Sequence, residues 1–227
     1  MTMTSLDSPM PHPAQFTAMR HAMVASQLRT NAVSDQRVVA AMAIVAREHF
    51  VPTEARALAY RDAAIPLGRA RYANLPMATG RLLTEAYLLP TDRVLLIGAA
   101  GGYTAAVLAE LVAHVVAVES DPMLADLARS ALSGLANVTL VEGPLDAGHA
   151  DAAPYDVLVV DGAIENVPDA LVAQVRPGGR AVSGIVDQGV TRLAAGRRTE
   201  GGFALAAFAD VECVALPGFA TPKLFTF

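Results

Sequence analysis

Residues 94–106, VLLIGAAGGYTAA, carry the stretch that decides the fold. An apolar run, Val94–Ile97, enters a cluster of small residues and leaves it in a segment with helical spacing. Small residues after a strand let the main chain approach a ligand closely. In an open α/β sheet such a loop lies at the carboxyl end of a strand, where ligands bind. Leu96 stands where loops of this kind commonly carry a polar or acidic residue.

Working outward, short apolar runs recur at Val94–Gly98, Val115–Glu119, Val138–Glu142, Asp156–Asp161 and Arg180–Val186. Helical patterns separate most of them, at Tyr103–Leu111, Pro122–Leu135 and Val167–Val175. That alternation predicts an α/β fold with a mostly parallel central sheet and helices on both faces. Beyond Gly189 the pattern turns hairpin-like, and GFALAAFADVECVAL (202–216) reads as C-terminal antiparallel strands. Upstream, residues 1–14 read as a disordered tail. Residues 15–92 read as an N-terminal helical extension with an active-site loop, and 93–227 as the sheet domain, the last two forming one unit. Apolar spacing predicts a helix from Phe16 to Leu28 and another over SDQRVVAAMAIV, N-capped by Ser34. A short helix is expected near Arg81–Leu89.

The chain has 227 residues, 53% hydrophobic and 17% charged, enough for a sizeable core. A net charge of −5 argues against a nucleic-acid surface. Cys213, the single cysteine, excludes a disulfide framework and fits a reducing compartment; it reads as a buried small residue. No signal-peptide pattern opens the chain, and no apolar run is long enough to span a bilayer. The expectation is a soluble cytoplasmic protein without nucleic-acid or membrane partners. The five histidines show no metal-ligand spacing, so no metal site is expected. Arg197–Arg198 reads as a solvated turn.

For the loop itself, a G-x-G-x-x-G dinucleotide fingerprint from Gly98 would need glycines where Ala100 and Tyr103 stand. A nicotinamide oxidoreductase is therefore disfavoured. The looser G-x-G-x-G loop of S-adenosylmethionine enzymes fits better, because that ligand has no pyrophosphate to cradle. It assigns Gly98, Ala99, Ala100, Gly102 and Tyr103 to the cofactor, with Glu119 gripping the ribose hydroxyls and Ser120 beside it. The other strand ends, Gly143-Pro144-Leu145 and Asp161, complete the candidate crevice. The plainer alternative, a tight strand-to-helix turn with Glu119 as a solvated strand end, stays open on pattern alone. Asp121 reads as the cap of the helix that begins at Pro122.

An ordered series of blocks resembles the protein-L-isoaspartate O-methyltransferases: MVASQLRTNAVSDQRVVAAMAIVAREHFVP (23–52), AYRDAAIPLG (59–68), VLLIGAAGGYTAAVLAEL (94–111), NVTLVEG (137–143), APYDVLVVDGAIENVP (153–168) and QVRPGGRAV (174–182). The resemblance implies a Rossmann-like S-adenosyl-L-methionine-dependent methyltransferase with an N-terminal extension covering the cofactor. Such enzymes methylate the α-carboxylate of L-isoaspartyl residues in damaged proteins and release S-adenosyl-L-homocysteine. The resemblance implies that positioning and desolvation provide much of the acceleration, and that no strong general base is required, since the acceptor is already ionised at neutral pH. This chain departs from the family pattern around the crevice. Where the family carries T-I-S before a proline, it reads Tyr72-Ala73-Asn74, which puts Asn74 at the catalytic Ser position. Leu96 replaces a polar loop residue, Pro144-Leu145 replace an acid and a glycine near the adenine, and Asp161 replaces a small or hydroxyl residue. These changes leave room for a methyltransferase with another acceptor, or for a cofactor-binding protein with little activity.

Overall fold

A computed structural model describes residues 10–200 and 202–220. Its centre is a seven-stranded sheet in the order β5-β4-β3-β6-β7-β8-β9, built from β3 (Arg93–Ile97), β4 (His114–Glu119), β5 (Val138–Glu142), β6 (Tyr155–Ile164), β7 (Val175–Asp187), β8 (Val190–Thr199) and β9 (Gly202–Ala209). From β5 through β7 every pairing is parallel, whereas the β7–β8 and β8–β9 pairings are antiparallel. The chain builds outward from β3 in one direction, then crosses to β6 on its other side, so β3 marks the switch point where a crevice opens. Helices α4 (Tyr103–Ala109), α5 (Pro122–Ala131) and α6 (Asp169–Gln174) lie between the parallel strands in sequence.

The near-continuous apolar strands are explained by burial on both faces. Val94 and Leu96 join a core with Val115, Ala117, Val157 and Val159, into which the N-terminal extension inserts Leu28, Val38 and Met42. Their neighbours Leu95 and Ile97 face the opposite cluster, with Val116, Leu158, Val160 and Leu171 of α6. Each such side chain contributes about 1.5–3 kcal/mol of burial.

In the extension, α1 (Pro13–Met23) starts within the expected tail, because Pro13 presets the first helical turn; it continues as a π-helical turn over Val24–Leu28. The N-cap of α2 (Gln36–Ile44) is Asp35 rather than Ser34, its carboxylate accepting from the Arg37 amide at 2.8 Å. Two short strands, β1 (Ile65–Gly68) and β2 (Arg71–Ala73), form an antiparallel ribbon. Helix α3 (Pro76–Glu85) begins five residues before the expected Arg81, again with proline at its first position. The first nine residues and the terminal aromatic tail (225–227) lie outside the described residues.

The C-terminal hairpin is shifted from its expected place. Its strands are β8 and β9, whereas 211–216 leaves the sheet and crosses the end of β6: the Ala163 amide donates to Val214 O at 2.7 Å and the Leu216 amide to Ala163 O at 2.9 Å. Two glycines make the space. A Cβ on Gly162 would stand 2.5 Å from Leu216 Cγ, and one on Gly184 would stand 2.8 Å from Cys213 Sγ. Arg197 and Arg198 sit in β8, not in a turn, and donate to the carbonyls of Gly178 and Ala173. Among the described residues no helix is long and apolar enough to cross a membrane.

Candidate active site

The loop after β3 is shaped by its backbone. Gly98, Ala100 and Gly102 all have left-handed φ, at +81°, +50° and +98°. Gly101 is demanded by packing instead: a Cβ there would lie 1.9 Å from the Phe50 carbonyl oxygen, so the extension presses directly on the loop. Ala100 adopts its left-handed conformation despite a side chain, at a cost of about 1–2 kcal/mol. The return is its amide, which donates to Glu119 Oε2 at 2.7 Å. Leu96 is fully buried and belongs to the core face of the sheet. Its side chain therefore lines neither of the two spaces described below.

Glu119, at the end of β4, is completely buried. Arg71 of β2 grips it in a bidentate pair, Nη1 to Oε1 at 2.5 Å and Nη2 to Oε2 at 2.9 Å. The amides of Ser120 and Asp121 add donors to Oε1 at 2.8 and 2.9 Å. Asp121 spends its own carboxylate on the amides of Met123 and Leu124, capping α5 as expected.

The end of β6 brings in Asp161. Its Oδ2 accepts from Thr104 Oγ1 at 2.5 Å, and its Oδ1 from Thr79 Oγ1 at 3.0 Å and Asn74 Nδ2 at 3.2 Å. Asn74 is buried and its amide is already fully used. Nδ2 also donates to Cys213 Sγ at 3.2 Å, while Oδ1 accepts from the amides of Leu75 and Val214. The side chain thereby ties the β2–α3 turn to the 211–216 crossing. Arg47, from the REHF turn, is 2% exposed, donates to the Asn74 carbonyl at 2.5 Å and lies 4.6 Å from the centre of the Tyr103 ring. Burial pushes the Arg47 guanidinium down from its ordinary value, opposed by Tyr103 and Asp161. Burial likewise raises the Tyr103 hydroxyl to about 12 and the Cys213 thiol to about 12, so both stay protonated at neutral pH.

Two spaces flank the Arg71–Glu119 pair. One is a narrow chamber lined by Arg47, Asn74, Gly98, Ala100, Tyr103 and Asp161, with a free volume of about 20 Å³, enough for one water molecule. The other is an open groove of about 480 Å³ along Arg69, Ser120, Pro122, Leu216 and Pro217. Arg71 and Leu216 border both and form the partition. A third hollow of about 440 Å³, over Arg37, Ile44, Pro90 and Leu111, lies away from the strand ends.

The expected residues thus divide. Gly98, Ala99, Ala100, Tyr103, Asn74 and Asp161 line the chamber, Ser120 lines the groove, and Glu119 stands behind the partition. Gly102 is at the N-cap of α4, one residue behind the chamber wall. Gly143, whose amide donates to the Glu119 carbonyl at 3.0 Å, and the exposed Pro144 lie one strand further out and line neither space. Leu145 is buried in the core beneath the sheet, so its side chain is unavailable to a ligand, which corrects its expected role. Sequence reasoning missed Arg47, Arg71, Thr79 and Thr104. The signal for the arginines was present: one stands in REHFVP and the other in RARYAN, each adjoining a stretch that is otherwise apolar.

The family model described as protein-L-isoaspartate(D-aspartate) O-methyltransferase matches residues 19–218. Among similar proteins, protein-L-isoaspartate O-methyltransferase 1 of Rhodopseudomonas palustris is 38% identical over 187 residues, covering 81% of this chain and 76% of its own length. The Roseiflexus castenholzii protein-L-isoaspartate O-methyltransferase is 38% identical over 205 residues, 89% of this chain and 94% of its own. A solved protein-L-isoaspartate O-methyltransferase superposes with a TM-score of 0.75 at 23% identity, over 88% of this chain and 66% of that one. A Plasmodium falciparum structure described as a beta-aspartate methyltransferase in complex with S-adenosyl-L-homocysteine gives a TM-score of 0.71 at 15% identity, over 87% and 97%. The last two likenesses bear on the fold, which they share. Both the breadth of the family match and the identity to full-length relatives lead to one assignment: the chain belongs to the protein-L-isoaspartate (D-aspartate) O-methyltransferase family.

Proposed function

We propose that the protein is an S-adenosyl-L-methionine-dependent carboxyl methyltransferase acting on isoaspartyl residues of damaged proteins in the cytoplasm. The observation that carries this reading is the buried Glu119 at the end of β4, held against the amide of Ala100 in a loop of small residues. An acid in that place suits ribose hydroxyls, and left-handed small residues suit close approach of the methionine portion. The residues fit the cofactor once Arg71 gives up its hold on Glu119. When bound, S-adenosyl-L-methionine supplies an activated methyl group, transferred to a carboxylate oxygen with S-adenosyl-L-homocysteine as the other product.

The chain's own part is positional. Gly98–Gly101 and Tyr103 hold one side of the chamber, and Phe50 and Val51 of the extension line it as well, which narrows its access to bulk water. Thr79, Thr104 and Asn74 hold Asp161 at the chamber wall. Asn74 serves as a tether that fixes the acceptor side of the chamber, in place of the family's serine. No general base is needed, since a carboxylate is ionised at neutral pH.

The test is incubation with methyl-labelled S-adenosyl-L-methionine and a matched pair of isoaspartyl and aspartyl peptides. Label as a base-labile ester on the isoaspartyl peptide alone is expected; no ester on either peptide overturns the assignment. The near-closed chamber and the committed Asn74 favour one second reading, a cofactor-binding protein without turnover. That reading requires S-adenosyl-L-homocysteine binding by calorimetry together with no ester on any carboxylate peptide.

A further inference from the structure

Glu119 has no acceptor capacity left. A carboxylate offers about four lone-pair sites, and here Arg71 Nη1 and Nη2 share them with the amides of Ala100, Ser120 and Asp121. Ribose hydroxyls can reach this acid only if the guanidinium departs, because the three amides belong to the loop and the strand end and cannot. Arg71 is also the charged residue that borders both the chamber and the groove.

The charges around the chamber balance as they stand: Arg47 and Arg71 against Glu119 and Asp161. Exchanging Arg71 for neutral hydroxyls on Glu119 leaves its guanidinium without the carboxylate that now compensates it, which is unfavourable for a charge held at the chamber wall. Asp161 is already committed to Thr104, Thr79 and Asn74. Under the proposed function, the anion that arrives next is the acceptor's carboxylate, whose two oxygens match the guanidinium fork.

We infer that Arg71 occupies the ribose-binding acid in the free enzyme, is displaced from it by the cofactor, and then receives the acceptor's carboxylate, so that cofactor and acceptor bind cooperatively. This inference rests on the proposed function. Arg71 lowers affinity for the cofactor alone, and the acceptor restores it by giving the displaced guanidinium a new partner. By linkage the coupling is reciprocal: the cofactor raises acceptor affinity by the same factor, typically 5–150-fold for such coupling.

Calorimetric titration of S-adenosyl-L-homocysteine into the wild-type chain and Arg71→Gln, each with and without a saturating isoaspartyl hexapeptide, tests it. For the wild type, the peptide is expected to lower the Kd about tenfold or more. Arg71→Gln is expected to bind S-adenosyl-L-homocysteine more tightly than wild type in the absence of peptide, and to lose the coupling. Unchanged binary affinity with the same coupling in both proteins overturns the inference while leaving the cofactor assignment intact. Absence of binding to either protein overturns the cofactor assignment itself. Should Arg71→Gln fail to fold, Arg71→Lys keeps the charge without the fork; it is expected to show tighter binary binding and weaker coupling, and wild-type values in both would overturn the inference.

Discussion

The two walls of the chamber are held by different physics. The wall contributed by 98–102 is held by main chain: left-handed φ at Gly98, Ala100 and Gly102, and a carbonyl of Phe50 pressed against Gly101. The opposite wall, Arg71–Leu75 with the 211–216 crossing, is held by side chains: the Arg71–Glu119 pair, and Asn74 bridging Asp161, Cys213 and Val214. A backbone-defined wall needs only small residues, so Ala100 can replace a glycine and still deliver its amide. Side chains that lock into one another must change together. The comparison predicts that the walls fail in different ways.

Breaking the junction between the walls has the largest expected effect. Glu119→Gln removes the charge that compensates Arg71 and leaves a buried guanidinium unpaired, a change expected to cost about 3–5 kcal/mol. In a chain of this length that lowers the Tm by roughly 2–4 °C per kcal/mol, readable by scanning calorimetry, and S-adenosyl-L-homocysteine binding should be lost with it. A Tm within about 2 °C of wild type would show the pair is not holding the walls together.

On the backbone wall, Gly101→Ala drives a Cβ into the Phe50 carbonyl, and the extension must move off the loop. The expected loss is about 3 kcal/mol, at the top of the range for overpacking. Gly143→Ala is the internal contrast, because a Cβ there meets nothing within 4 Å. It should stay within about 0.5 kcal/mol of wild type. Equal effects at the two sites, by denaturant unfolding, would mean that the loop's tight approach carries no stability.

This division also explains what could be seen in the sequence. The parallel sheet was legible because strands buried on both faces must be nearly all apolar, as Val94–Ile97 and Val157–Val160 are. The cofactor loop was legible because left-handed turns and close approaches require small residues. The Asn74 network was not, since its members come from positions 74, 79, 104, 161 and 213, and no local pattern records that they meet. The pairing of Arg71 with Glu119 was hidden for the same reason, its members lying forty-eight positions apart. The hairpin was misplaced because β8, with Arg192, Arg197 and Arg198 at its positions, does not read as an apolar strand, whereas the irregular 211–216 does.

On the side-chain wall, Asn74→Ser leaves a side chain too short to span from Asp161 to Val214. It leaves the Val214 amide and one Asp161 hydrogen bond unmet, for an expected loss of about 2 kcal/mol. Equilibrium urea unfolding should show a lower midpoint with an unchanged slope. If the serine variant is as stable as wild type, the tether is redundant, and the two walls are more alike than their contacts imply.

The smallest effect appears only in alkali. Burial holds the Cys213 thiol up at about 12, with Asp161 adding to the rise and the Asn74 amide opposing it. A thiol in the unfolded chain ionises near 8.5, so the folded protein keeps a proton that the unfolded chain gives up. Stability from this group is fully present below about pH 8.5 and is lost as pH rises toward 12, by roughly 1.4 kcal/mol at pH 9.5. The raised tyrosines, Tyr103 among them, enter only above about pH 10, so the interval from 8.5 to 9.5 isolates the cysteine. Cys213→Ala should lower stability at pH 7 by removing a buried side chain, yet flatten its decline across that interval. Parallel declines in the two proteins would place the thiol in contact with water, and with it the side-chain wall that Asn74 seals.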